Sequence, residues 1–218
     1  MADFARARRN MVDCQIRTNR VTDPRIIAAF DSLPRERFVD ATLVTVAYVD
    51  QDLAVAPDRF LMEPRVMARM LEALAIGPDE VVLDVGCGTG YSSALMAQLA
   101  ATVVALESDP DLAAQATANL TGLAVDNAVV VEGPLNRGYA AQAPYDVIFL
   151  GGAVPEIPPV ITDQLAEGGR ACAVISTSAG GGTTTLFLRR RGAVSAQPLF
   201  DAATAPLPGL ECKPGFVF

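Results

Sequence analysis

Residues 81–90 read Val-Val-Leu-Asp-Val-Gly-Cys-Gly-Thr-Gly. This short apolar strand running directly into three alternating glycines constrains the fold more than any other part of the chain. A strand that is apolar at successive positions is covered on both faces, as the strands of parallel sheets are. Glycine reaches positive φ without strain and lets the backbone approach a ligand with no Cβ in the way. A turn of this kind, opening into a helix whose first N–H groups are free, is the usual seat of a nucleotide-like cofactor. Gly86, Gly88 and Gly90 follow G-x-G-x-G, one residue tighter than the G-x-G-x-x-G of dinucleotide enzymes, and Asp84 stands just ahead of the turn.

A second apolar run, Thr-Val-Val-Ala-Leu-Glu from residue 102, ends at Glu107, seventeen residues past Gly90. An acid at about that distance beyond the glycine turn is placed to accept both ribose hydroxyls of a bound nucleoside. The tight glycine spacing together with Asp84 favours S-adenosyl-L-methionine over NAD. Asp84 is then expected to order the loop and meet the cofactor's amino group.

The alternation of elements continues on either side. Met11, Val12 and Ile16 fall at helical spacing within 5–20, and Asp23-Pro24 starts a second helix that Pro34 breaks. Residues 38–58 read as loop or short strands, a third helix is expected over 64–75, and Gly77-Pro78-Asp79 turns into the glycine-loop strand. Beyond it come a helix over 91–99, a helix over 111–120, strands at 128–132 and 146–150, a short helix including 161–165, and a strand over 171–176. Gly180 to Gly182 read as a hairpin turn, and residues 184–190 with 215–218 as an antiparallel edge pair. Apolar strands alternating with helices indicate a Rossmann-like α/β fold, a mostly parallel doubly wound sheet. We expect residues 1–76 to form an N-terminal helical region over a core of 77–218, with no second independent domain.

Composition excludes several classes. The chain of 218 residues has no histidine, and its four cysteines, Cys14, Cys87, Cys172 and Cys212, contain no C-x-x-C pair, so no metal site is expected. Cys87 and Cys172 read as small buried side chains rather than nucleophiles. The net charge of −8 disfavours a nucleic-acid partner, whose binding rests on neutralising phosphates, and the basic run Arg189 to Arg191 reads as a solvated strand end. No window approaches the roughly twenty apolar residues needed to cross a bilayer, and the first residues lack the apolar core of a secretory signal. A soluble, cytoplasmic protein is the expectation; oligomeric state is not encoded in these patterns.

With these landmarks the chain resembles the protein-L-isoaspartate O-methyltransferases over nearly its whole length. The matching segments occur in order: Asn10-Met11-Val12 with Gln15-Ile16, then Leu33-Pro34-Arg35-Glu36-Arg37-Phe38-Val39, then Ala47-Tyr48 with Asp50, the strand and loop at 81–91, Ala143-Pro144-Tyr145-Asp146, and Pro158 with Gln164-Leu165 and Gly168-Gly169. The resemblance implies a class I methyltransferase fold with an N-terminal helical extension, S-adenosylmethionine as cofactor, and methylation of isoaspartyl carboxylates in damaged proteins. That chemistry suits a chain without histidine, because a carboxylate is already ionised at pH 7 and needs no general base. No catalytic side chain is singled out.

Two departures from the family pattern bear on the site. Where the family shows threonine-isoleucine-serine, one residue, then proline, this chain reads Phe60-Leu61-Met62-Glu63-Pro64. The acceptor would therefore be gripped by main-chain groups around Phe60, Leu61 and Met62, and Glu63 would either face the acceptor carboxylate or turn to solvent. Where the family has glycine-aspartate-glycine after the third strand, Gly133 is followed by Pro134, so the adenine contact must come from the backbone or from Asn136. These departures keep two alternatives open: a methyltransferase of the same fold with a more apolar acceptor, and a catalytically silent homologue.

Overall fold

The apolar runs of the sequence form the centre of one seven-stranded sheet in the computed structural model, which describes residues 3–177 and 181–211. The strands are β3 (Val81–Val85), β4 (Thr102–Glu107), β5 (Ala128–Glu132), β6 (Tyr145–Val154), β7 (Leu165–Ser176), β8 (Gly182–Arg190) and β9 (Ala193–Ala202), in the spatial order β5-β4-β3-β6-β7-β8-β9. The first five in that order are parallel, and β8 and β9 add antiparallel at one edge. The direction of winding reverses at β3, between β4 and β6. In open α/β sheets the crevice at such a reversal, outside the carboxyl ends of the strands, is where ligands bind.

Helices α3 (Pro64–Leu74), α4 (Tyr91–Ala97), α5 (Pro110–Gly122) and α6 (Pro159–Thr162) connect or cover these strands. Ahead of them lie α1 (Phe4–Met11), α2 (Pro24–Ser32) and a small hairpin of β1 (Leu53–Ala56) and β2 (Arg59–Leu61). Asp23 caps α2 by accepting from the Arg25 N–H at 2.8 Å, with Pro24 in the first turn. Met11, Ile16, Ile26 and Phe30 share one buried cluster with Met67, Leu71, Val82, Phe149 and Cys172. The N-terminal helices thus complete the apolar cover on one sheet face. Leu83, Val85, Leu106, Ile148 and Ile161 build the core on the other.

Several boundaries differ from the sequence reading. The first helix is α-helical only to Met11; Val12–Ile16 widens into a π turn, Arg17–Asn19 tightens to 3-10, and Arg20 ends it at φ 66°. Leu165 opens β7 instead of closing a helix, because Pro158 and Pro159 start α6 one turn earlier. The partner of β8 is Ala193–Ala202, joined through Arg191 and Gly192 at φ 53° and 74°, the positive angles that a two-residue hairpin turn requires. Residues 215–218, expected in that role, lie outside the described residues, as does Gly180 of the expected β7–β8 turn. Arg189 is half-buried and donates to the Thr162 carbonyl at 3.1 Å, so the basic run is anchored at its first member.

One buried cation organises the N-terminal region. Arg35, fully buried, donates through Nε to the Ala47 carbonyl and through Nη2 to the Met62 carbonyl, each at 2.8 Å. Its guanidinium lies 4.9 Å from the centre of the Tyr91 ring. It therefore joins the start of α4 to the loop and hairpin that precede α3. Arg35→Met keeps the apolar stem and leaves two buried carbonyls without donors. We predict a loss of about 2–4 kcal/mol, read as a lowered urea midpoint with an unchanged slope.

Candidate active site

The carboxyl ends of β3 and β4 bring together the glycine turn and both sequence-selected acids. Gly86, Gly88 and Gly90 take φ of 81°, 57° and 92°. The N–H groups of Gly86 and Cys87 donate to the Leu106 carbonyl at 2.9 and 3.2 Å, which ties the turn to β4. At Gly90 a Cβ would come within 3.2 Å of the Ala116 Cβ on α5, so this glycine also permits close helix packing. At Gly88 a Cβ would meet nothing within 4 Å, and there the requirement is conformational.

Asp84 is completely buried. Ser92 and Ser93, in the first turn of α4, both donate to its Oδ2 at 2.6 Å, while Oδ1 is buried with no hydrogen-bond partner. Burial pushes the carboxyl up to about 6, the two serine hydroxyls work against that rise, and the nearby charge of Glu107 adds to it. A cationic group meeting Oδ1 would relieve both the unmade hydrogen bond and the cost of the buried charge.

Glu107 is also fully buried and is the most heavily bonded carboxylate of the site. Its Oε2 accepts from the Gly88 N–H at 2.8 Å, and its Oε1 from the Ser108 and Asp109 N–H groups at 2.7 and 3.0 Å. Asp109 in turn caps α5 by accepting from Asp111 and Leu112. The two Glu107 oxygens also receive Nη1 and Nη2 of Arg59, the second at 2.5 Å, in a bidentate ion pair whose arginine is 6% exposed. Gly133 stands beside this group, its N–H donating to the Glu107 carbonyl at 2.9 Å.

Arg59 reaches Glu107 from the first position of β2, after a two-residue turn in which Asp58 has φ 57°. The sequence reading passed over it; the only signal was a cation next to the divergent motif. It also missed Asp52, which fixes this hairpin to the segment after β9. Asp52 Oδ1 accepts the Glu63 N–H at 2.8 Å, and its Oδ2 accepts the Thr204 hydroxyl at 2.7 Å and the Ala205 N–H at 3.1 Å. The same segment exchanges backbone hydrogen bonds with Ala153 and lays Leu207 over the glycine turn, where a Cβ on Gly86 would lie 2.5 Å from its Cδ2.

The divergent motif is divided between surface and core. Phe60 is 38% exposed, whereas Leu61 and Met62 are buried in the main apolar cluster. The Met62 carbonyl is already taken by Arg35, and Phe60 and Leu61 pair with Ala54 and Leu53 in the hairpin. Of the three, Met62 has its carbonyl committed to Arg35 and Phe60 alone has an exposed side chain. Glu63 does not stand free: Arg65 pairs with it at 2.9 Å. Burial raises its carboxyl and this arginine acts against the rise. Pro134 leads into a 3-10 turn, Leu135–Arg137, on which Asn136 is exposed. Among the described residues no group of three or more histidine, cysteine, aspartate or glutamate side chains could hold a metal ion, and no helix is long and apolar enough to cross a membrane.

The Asp84 environment has a measurable pH signature. The folded chain holds the Asp84 proton up to about pH 6, whereas the unfolded chain releases it near pH 3.9. This contribution to stability is present in full below about pH 4 and is lost as the pH rises through 6, amounting to about 3 kcal/mol. In Asp84→Asn the fall should vanish, so the difference in unfolding free energy between the two proteins should change across pH 4–6 and stay level above it, measured by urea denaturation at each pH.

This geometry has counterparts in known proteins. Residues 6–206 match the family model described as protein-L-isoaspartate(D-aspartate) O-methyltransferase. The chain is 39% identical to a protein-L-isoaspartate O-methyltransferase of Koribacter versatilis over 210 residues, covering 96% of this chain and 94% of the relative. It is also 39% identical to one of Methanoculleus marisnigri over 204 residues, covering 94% and 92%. A solved protein-L-isoaspartate O-methyltransferase superposes with a TM-score of 0.83 at 26% identity, over 94% of this chain and 67% of that one. A putative Plasmodium falciparum member, in complex with S-adenosyl-L-homocysteine, shares the fold with a TM-score of 0.76 at 19% identity, over 91% and 96%. With its glycine turn, its two buried acids and a family match over nearly its entire length, the chain belongs to the protein-L-isoaspartate(D-aspartate) O-methyltransferase family.

Proposed function

We infer that this chain is an S-adenosylmethionine-dependent methyltransferase that esterifies the carboxylate of isoaspartyl residues in damaged proteins. The observation that carries the reading is the junction of the glycine turn with two fully buried acids, Asp84 and Glu107, at the sheet's reversal point. The residues suit an adenosyl amino acid. The unpartnered Asp84 Oδ1 is an acceptor waiting for a cationic donor such as an amino group, Gly88 has open space where a side chain would stand, and Glu107 is the ribose acceptor. Gly86, Gly90 and Gly133 shape the backbone around these groups.

S-adenosylmethionine supplies an electrophilic methyl group when bound. The protein has then only to hold an ionised carboxylate in line and keep water out, which needs no histidine and no general base. Phe60 is the member of the divergent motif open to an acceptor, with Leu61 and Met62 supporting it from the core. Their burial leaves Phe60 as the one exposed apolar side chain of the motif. The ion pair with Arg65 lessens the repulsion that Glu63 would exert on a carboxylate. The net charge of −8 argues against a nucleic-acid partner. Cys14, Cys87 and Cys172 are free thiols, in keeping with a reducing cytoplasm.

Labelled methyl transfer from S-adenosylmethionine to an isoaspartyl peptide, with the matched aspartyl peptide as control, tests this function. We predict transfer to the isoaspartyl form alone. Transfer to neither would remove the repair assignment.

A further inference from the structure

We propose that Arg59 is an internal competitor for the cofactor's ribose site, so that nucleoside binding has to displace its guanidinium from Glu107. This rests on the reading of Glu107 as the ribose acceptor. A carboxylate offers about four lone-pair positions. Glu107 already meets six donors: the N–H groups of Gly88, Ser108 and Asp109, the Ser108 hydroxyl at 3.4 Å, and two from Arg59. Nothing is left for a ribose diol.

The six donors are not equally replaceable. The three N–H groups belong to the glycine turn and to the lead-in to α5, and moving them would undo both. Arg59 is the only charged side chain among them, since the other side-chain donor is the Ser108 hydroxyl at 3.4 Å on a residue whose N–H already holds Glu107, and Arg59 sits at the start of a three-residue strand, next to a two-residue turn. It is therefore the group that gives way. Losing a buried, bidentate, charge-assisted contact sets a cost against every binding event, and the apparent affinity falls by the fraction of molecules with Arg59 withdrawn. Arg59 thus makes the cofactor site weaker than its glycine turn and acids would otherwise provide.

Calorimetric titration with S-adenosylhomocysteine tests this without depending on turnover. In Arg59→Gln the fork is lost, while Glu107 keeps its three N–H donors. The dissociation constant should fall by about tenfold or more. Arg59→Lys, a single point contact in place of the fork, should lie between that variant and the wild type, and it decides the matter if the glutamine variant does not fold by circular dichroism. Equal or weaker binding in folded variants overturns the proposal and leaves the cofactor reading intact. Absence of binding by all three proteins at millimolar ligand overturns the cofactor reading and this proposal with it.

Discussion

A carboxylate removed from water must collect donors or lose its charge, and Glu107 meets that demand by drawing three segments of the chain to one point. Burying a single ion costs several kcal/mol even after relaxation. Glu107 offsets that cost with the glycine turn after β3, the two residues that follow β4, and Arg59 from the β1–β2 hairpin. The hairpin is in turn fixed through Asp52 to the segment that carries Leu207 over Gly86. The arrangement of the site, and of what covers it, follows from satisfying one acid.

The parts of this site that were legible in the sequence are those whose signal is local. Glycines at alternate positions after an apolar strand announce positive φ, and an acid ending the next apolar strand falls beside them because adjacent parallel strands end together. Arg59 and Asp52 gave no such signal. Their partners lie 48 and 152–153 residues away along the chain, and they stand in a stretch with no periodicity to orient them. β9 was missed for a related reason. From Ala193 to Pro198 it is exposed at every position, so no apolar alternation marks it, and Pro198 argues against a strand except at an edge.

The divergent motif shows how a sequence difference can be read too directly. Phe60-Leu61-Met62 in place of hydroxyl-bearing residues suggested an apolar acceptor surface, but two of the three side chains complete the core. The chemistry assigned to the site does not require the missing hydroxyls for proton transfer, since the acceptor carboxylate is already ionised. What differs most from an open cofactor site is the Arg59 cation placed on Glu107.

The structure of the protein crystallised with S-adenosylhomocysteine is the most direct test of this account. It predicts the ribose hydroxyls on the Glu107 carboxylate, with the Arg59 guanidinium withdrawn and the three N–H groups from Gly88, Ser108 and Asp109 still in place. A complex in which the Arg59–Glu107 pair is intact and the ribose is held elsewhere would contradict it.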